Sequence, residues 1–170
     1  MECYNVTRIP LDESVMPGAA SSATPTARAV RRAETLCRAR GARLTPRRRR
    51  VYELVVAAGE PVTAYQLLHR LGADGGNPAP PTVYRALEFL LAHGLVHRLA
   101  SQSRFVACDH PEDGAHGGVF LVCARCGRAV EWNDVRVAHA VARSASDAGF
   151  QLGGDVLPEV EGLCADCRDD

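Results

Sequence analysis

The sequence predicts an α+β (mixed α/β) fold in two modules. The first is a winged helix-turn-helix over residues 27–108. The second is a small C-terminal α/β module over residues 119–170, a dimerisation domain with a four-cysteine site. Three observations predict this. Apolar residues recur at helical spacing as far as His93, then alternate as in strands once Gly94 is passed. Two Cys-x-x-Cys pairs stand near the C-terminus, as metal knuckles do. Finally, the charge inverts: residues 1–107 carry 15 arginines against 8 acidic side chains, and residues 108–170 carry 5 against 12.

Residues 1–26 are rich in Pro, Ser, Ala and Thr without a sustained period and read as a flexible tail. Residues 27–40 read as a helix, with Val30, Glu34 and Cys37 at helical spacing. In Leu44-Thr45-Pro46, Thr45 can cap a second helix and Pro46 suits its first turn. That helix carries Val51, Leu54 and Val55 and ends before Gly59. Thr63 can cap a third, with Tyr65, Leu67, Leu68 and Leu71. Residues 72–80 are a loop by composition. A fourth helix opens at Pro81 and Thr82 and runs to about His93, with Val83, Leu87, Leu90 and Leu91 toward a core. Residues 95–99 and 104–108 form a hairpin, the wing. After a polar connector at 109–118 come a strand at 119–122, a helix at 134–148 with Val137, Val141 and Ala145 inward, and a strand at 150–157. So small a sheet buries little alone, and pairing with a second copy would complete its core.

The fractions, 46% hydrophobic and 24% charged, are those of a folded chain. No run of about 18 apolar residues predicts a membrane span. An apolar signal core is absent from the N-terminus, which points to the cytoplasm. Seven cysteines, an odd number in paired spacings, fit metal thiolates in a reducing compartment better than a disulfide scaffold. Residues 28–50 hold ten arginines and one glutamate, including the block Arg47 to Arg50, and the chain contains no lysine. Such a field attracts a polyanion such as DNA; it is also what a solvated arginine face looks like.

Cys123, Cys126, Cys164 and Cys167 offer four soft ligands, the donor set of tetrahedral structural zinc. A redox pair or an iron–sulfur cluster would use the same residues. A second set mixes one sulfur, two imidazoles and one carboxylate: His97, Cys108, His116 and Glu131. His110 competes with His116, being on the same side of an extended strand as Cys108. His69, His93 and His139 read as surface or packing residues, and Cys37 as a buried small hydrophobe. No nucleophile–base–orienter set emerges, and four candidate ligands at each centre leave no open position, so an enzyme is not expected.

Leu44-Thr45-Pro46-Arg47-Arg48, then Pro80-Pro81-Thr82-Val83-Tyr84-Arg85-Ala86-Leu87-Glu88-Phe89-Leu90, then the two knuckles, resemble the ferric uptake regulator family, and within it the zinc-uptake-regulator branch. The resemblance spans roughly residues 27–168. It implies a dimeric winged-helix repressor that binds double-stranded operator DNA and silences zinc-import genes when zinc is sufficient. It assigns Cys123, Cys126, Cys164 and Cys167 to structural zinc, and His97, Cys108, His116 and Glu131 to regulatory zinc. Arg85 matches an arginine that reads a purine and Tyr65 a base-contacting tyrosine. Thr82 and Tyr84 help place the recognition helix, and Arg47 of the basic block joins them as a DNA-binding candidate. The thiolate of Cys108 favours zinc over ferrous iron. Positions that hold an acidic–basic pair between neighbouring dimers in the zinc branch carry His69 and Gly72 here. The rival expectations are a sensor of iron, manganese or nickel with the same fold, and a zinc-stapled interaction module that never reads DNA.

Overall fold

The computed structural model describes residues 24–73, 78–112, 118–151 and 157–168. Most of the expected tail, part of the 72–80 loop, residues 113–117 of the 109–118 connector with His116 among them, and residues 152–156 of the expected 150–157 strand lie outside the described residues.

Four helices open the described part of the chain. Helix α1 spans Pro25–Ala39, two residues ahead of expectation, because Thr24 caps it: the Thr24 hydroxyl accepts from the Ala27 amide at 3.2 Å. It buries Val30, Ala33 and Cys37. Helix α2, Pro46–Ala58, is capped by Thr45 as anticipated and ends at Gly59 in the left-handed region. Helix α3, Ala64–Ala73, opens on a reciprocal box: Thr63 Oγ1 accepts from the Gln66 amide at 3.1 Å, while Gln66 Oε1 accepts from the Thr63 amide at 2.8 Å. Helix α4 spans Pro80–Ala92, with Pro80 in its first turn and no side-chain cap. The helices close one core on Val51, Tyr52, Leu67, Leu87 and Leu90.

The wing follows. Strand β1, Val96–Leu99, pairs antiparallel with β2, Arg104–Ala107, in register Val96↔Ala107 and Leu99↔Arg104. The link before α3 adds a rung, since Val62 and Phe105 exchange both backbone hydrogen bonds, at 2.9 and 2.7 Å. Strand alternation gives the hairpin two working faces. Val96, Phe105 and Ala107 pack on the helical core. Leu99 and Val106 pack instead against Phe120 and Val122 of the second module.

That module is a three-stranded sheet in the order β4-β3-β5. Strand β3, Val119–Cys123, lies between antiparallel β4, Ala129–Trp132, and parallel β5, Glu159–Gly162. Gly118 enters β3 so close to the Trp132 carbonyl that a Cβ there would collide with it. Helix α5, Val135–Asp147, lies between β4 and β5 in the chain, and the short helix α6, Ala165–Arg168, follows β5.

Three differences from expectation appear. Among the described residues the last strand is at Glu159–Gly162; residues 152–156 of the expected 150–157 strand lie outside the described residues, Phe150 is exposed outside any strand, and Leu157 packs beside Phe120. Its Glu-Val-Glu-Gly sequence has little strand signal, and its conformation comes from pairing with β3. Strand β4 was not anticipated. Helix α5 does present Val137, Val141 and Ala145 as its less exposed side, but none of its residues is buried within one chain.

Candidate metal centres and nucleic-acid interface

The four cysteines come together at the end of the C-terminal sheet. Cys123 closes β3, and the turn after it returns through Gly127, whose φ is 74°, to the start of β4. Cys164 follows β5, and Cys167 lies in α6. The four sulfurs lie within 4.8 Å of one another. Four points so spaced share a centre no more than about 2.9 Å from each, against a zinc–sulfur bond of about 2.3 Å, so small side-chain adjustments suffice. The Cys164 amide donates to Cys123 Sγ at 3.4 Å, and Cys126 Sγ lies 3.8 Å from Cys164 Sγ. Backbone amides of Cys126 and Cys164 hold the Cys123 thiol down to about 6. Hydrogen bonding with Cys164, aided by burial, pushes Cys167 up to about 12. Four thiolates cannot ionise side by side without a cation, and a soft divalent ion is what the set fits. Arg128 and Asp166 bridge the two knuckles at 2.7 Å.

The second centre lies between the modules. His97 comes from β1, Cys108 from the end of β2, and Glu131 from β4. Their donor atoms lie within 4.8 Å of one another, so a point no more than about 2.8 Å from all three exists, close to zinc–ligand bonds of about 2.0–2.3 Å. His97 is 8% exposed, its ring edge-on to Phe120 at 5.3 Å, and its Nε2 lies 3.5 Å from Glu131 Oε2. The Asp109 amide donates to that same oxygen at 3.4 Å. Burial, then the Glu131 carboxylate, push the Cys108 thiol up to about 12. A buried imidazole, thiol and carboxylate from two modules suit a divalent cation, which would neutralise the carboxylate and displace the thiol proton. The fourth expected ligand, His116, lies outside the described residues. His110, its competitor, is exposed and stands outside the cluster.

Helix α1 holds the chain that leaves Cys108. Arg40 donates to the carbonyls of His93, at 2.7 Å, and Pro111, at 3.0 Å. Arg32 donates to the Asp109 carbonyl and pairs with Glu112, both at 3.2 Å. Arg32 of the first helix and its C-cap residue Arg40 therefore hold the segment that leads away from Cys108, a role the sequence reading did not assign them.

On the opposite side of the wing, α3, α4 and β1 form a groove lined by Tyr65, Tyr84 and Arg98. Tyr65 is 77% and Tyr84 53% exposed. Arg85 beside them is exposed, and Thr82 is half-buried one turn earlier. Arg98 was missed by the sequence reading; its place between buried His97 and Leu99 was the available signal. The arginine block is not a bare field. Arg48 stacks over Phe89 at 3.7 Å, Arg49 pairs with Glu34 and Glu53 at 2.8 and 2.9 Å, and Arg50 pairs with Glu53 at 3.3 Å. Arg47 is exposed beside Thr45 and Pro46, at the N-terminus of α2.

A model of the ferric uptake regulator family matches residues 39–156. The zinc uptake regulation protein of Escherichia coli strain K12 is 37% identical over 144 residues, 85% of this chain and 84% of that protein. A zinc uptake regulator complexed with zinc and DNA is 36% identical, with a TM-score of 0.78 over 86% of this chain and 97% of that one. Holo XcZur is 48% identical, with a TM-score of 0.74 over 83% of this chain and 97% of that one. The apo form of XcZur, 47% identical over 84% of this chain and 97% of its own, superposes with a TM-score of 0.50. The overall arrangement is therefore more similar to the holo form of that relative than to its apo form.

Proposed function

This chain is a member of the ferric uptake regulator family, and from that premise we propose that it is a zinc-responsive transcriptional repressor. It acts as a homodimer that binds operator DNA when its regulatory zinc centre is loaded, and so controls zinc uptake genes. The observation that carries this reading is the convergence of His97, Cys108 and Glu131 from two modules on one buried point.

Zinc, when bound, supplies the charge and bonds that hold these donors together. His97 and Cys108 belong to the wing, which is built onto the recognition helices; Glu131 belongs to the sheet of the second module. Drawing them together fixes where the wing meets the second module and narrows the orientation of one on the other. In a dimer that orientation sets the spacing of two α4 helices, and only one spacing matches successive major grooves. The loaded arrangement is then selected by DNA, and DNA tightens metal binding in return. Arg85 presents a donor fork suited to guanine O6 and N7, Tyr65 an aromatic face for a thymine methyl, and Arg47 a phosphate contact, while Thr82 and Tyr84 set the helix in the groove. His116, in the connector, is the fourth regulatory ligand this reading requires.

The second copy docks on the apolar side of the C-terminal sheet, where Leu121, Val130, Trp132, Val160 and Leu163 are each between 41% and 51% exposed. No helix among the described residues is long and apolar enough to cross a membrane. The cytoplasm, where duplex DNA and reduced thiols coexist, is the location this reading calls for. Sensors of iron, manganese or nickel in the same fold are disfavoured by the thiol of Cys108, a soft ligand.

The test is a zinc titration of Cys108→Ser with the four-thiolate site filled. The probe is a duplex that the wild-type protein selects from a randomised pool at saturating zinc. The expected result is regulatory-site affinity at least ~100-fold weaker and loss of zinc-dependent binding to that duplex. Unchanged zinc-dependent binding would overturn the bridging centre.

A further inference from the structure

The wing is held to the second module at its turn as well as at its open end. Ala100–Ser103 form the hairpin turn. Glu159 of β5 reaches it from the sheet: Glu159 Oε1 accepts from the Ala100 amide at 2.6 Å, and Oε2 accepts from the Ser101 amide at 3.4 Å and from the Ser101 hydroxyl. The next residue, Gln102, lies against the first cysteine knuckle, where a Cβ on Gly127 would stand 3.7 Å from Gln102 Oε1.

The register makes one row of these contacts. Phe120 in β3 pairs with Glu131 of β4 on one side and with Glu159 of β5 on the other. Three neighbouring side chains of the sheet thus meet the wing in sequence. Glu131 faces His97 and Cys108, Phe120 packs on Leu99, and Glu159 takes the turn. His97 and Ala100 are three residues apart, roughly 10 Å along a strand.

We propose that Glu159 is a second tie between the modules, a positioning residue that sets the angle of the DNA-reading head. A metal centre at one end of a hairpin fixes a distance but leaves the hairpin able to swing about that point. A charge-assisted acceptor at the far end removes the swing. A carboxylate suits the place because three donors converge on it and its two oxygens accept them all. This inference rests on the functional reading above, in which wing orientation governs operator binding.

The experiment compares wild-type, Glu159→Gln and Ser101→Ala as zinc-loaded dimers. The probes are a duplex selected by the wild-type protein at saturating zinc and a random duplex of equal length, with hydrogen exchange read at the Ala100 and Ser101 amides. Glu159→Gln keeps the shape and removes the charge. Its affinity for the selected duplex falls ~10-fold at saturating zinc, its affinity for random duplex is unchanged, and exchange at Ala100 and Ser101 accelerates at least ~10-fold. Ser101→Ala, which removes one hydroxyl from an exposed turn and does not threaten folding, moves in the same direction by ~3-fold. A merely structural role would lower both affinities together and speed exchange across the sheet. Either that pattern, or wild-type affinity and exchange in both variants, overturns the proposal. A wild-type protein that selects no duplex at any zinc level sinks the functional reading instead, and exchange at Ala100 then decides the tie by itself.

Discussion

The helical half closes its own core: Val51, Leu67, Leu90 and Leu95 are all fully shut from solvent behind four helices and the wing. The C-terminal half does not. Its own buried apolar residues are few, its sheet leaves Trp132 and Val160 about half exposed, and α5 buries nothing. Chains of ordinary composition rarely leave such a patch bare without a partner. The first half is stabilised by burial; the second packs against the wing, and in the function proposed above a metal centre and a second copy supply the rest. A half that depends on ligands and neighbours is well suited to sensing, because small changes in either shift its state.

The comparison is broken most severely at the knuckles. Cys126→Ser removes one of the four thiols proposed to hold structural zinc, and such zinc contributes ~10–16 kcal/mol of apparent binding energy in small metal-dependent folds. The expected outcome is loss of one zinc per chain, loss of the dimer in sedimentation, and loss of strand signal in circular dichroism, with the helical half still melting cooperatively. If the helical half melts at the same lowered temperature, the two halves are one unit and the contrast fails. The next largest effect is at the bare face. Trp132→Asp puts a carboxylate in the apolar patch that the second copy is proposed to cover, costing ~2–5 kcal/mol of association. A monomer with both zinc ions retained is expected; an intact dimer would place the interface elsewhere. The smallest effect on stability, and the most selective, is Arg85→Ala on α4. It should cost ~1–3 kcal/mol on a selected duplex, with little change on random duplex or in thermal melting. Equal losses on both duplexes would make Arg85 a phosphate contact.

The same contrast governs what could be read in the amino-acid order. Helices α1 to α4 were legible because Thr45 and Thr63 are caps and the apolar stripes bury against a core within the chain. The two Cys-x-x-Cys pairs were legible because each knuckle is local. Strands β4 and β5 were not. Ala-Val-Glu-Trp and Glu-Val-Glu-Gly are four residues each, and the backbone of β3 between them organises both. Glu131 and His97, 34 positions apart, meet only through the packing of two modules, so spacing alone left their grouping open. The resemblance to a known family supplied it, and the geometry then brought three of the four expected ligands together. The arginine block misled in part. Ten arginines read as one field, whereas Arg49 and Arg50 are matched by Glu34 and Glu53, and Arg32 and Arg40 anchor the connector. A count of charges along the chain does not reveal which are already answered in three dimensions.

The hairpin with one face on each module carries a lesson about tolerance to insertion. Val96 belongs to one side and His97 to the other, so what the centre can bind depends on the parity of the chain entering β1. One residue added between Gly94 and His97 would turn Val96 toward the donor cluster and leave the imidazole at the exposed place of Arg98; one removed would send the imidazole into the helical core and turn Arg98 toward the cluster. A protein can lengthen many of its loops and keep working; here a frame of two is built into the backbone, and selection on zinc response would police it one residue at a time.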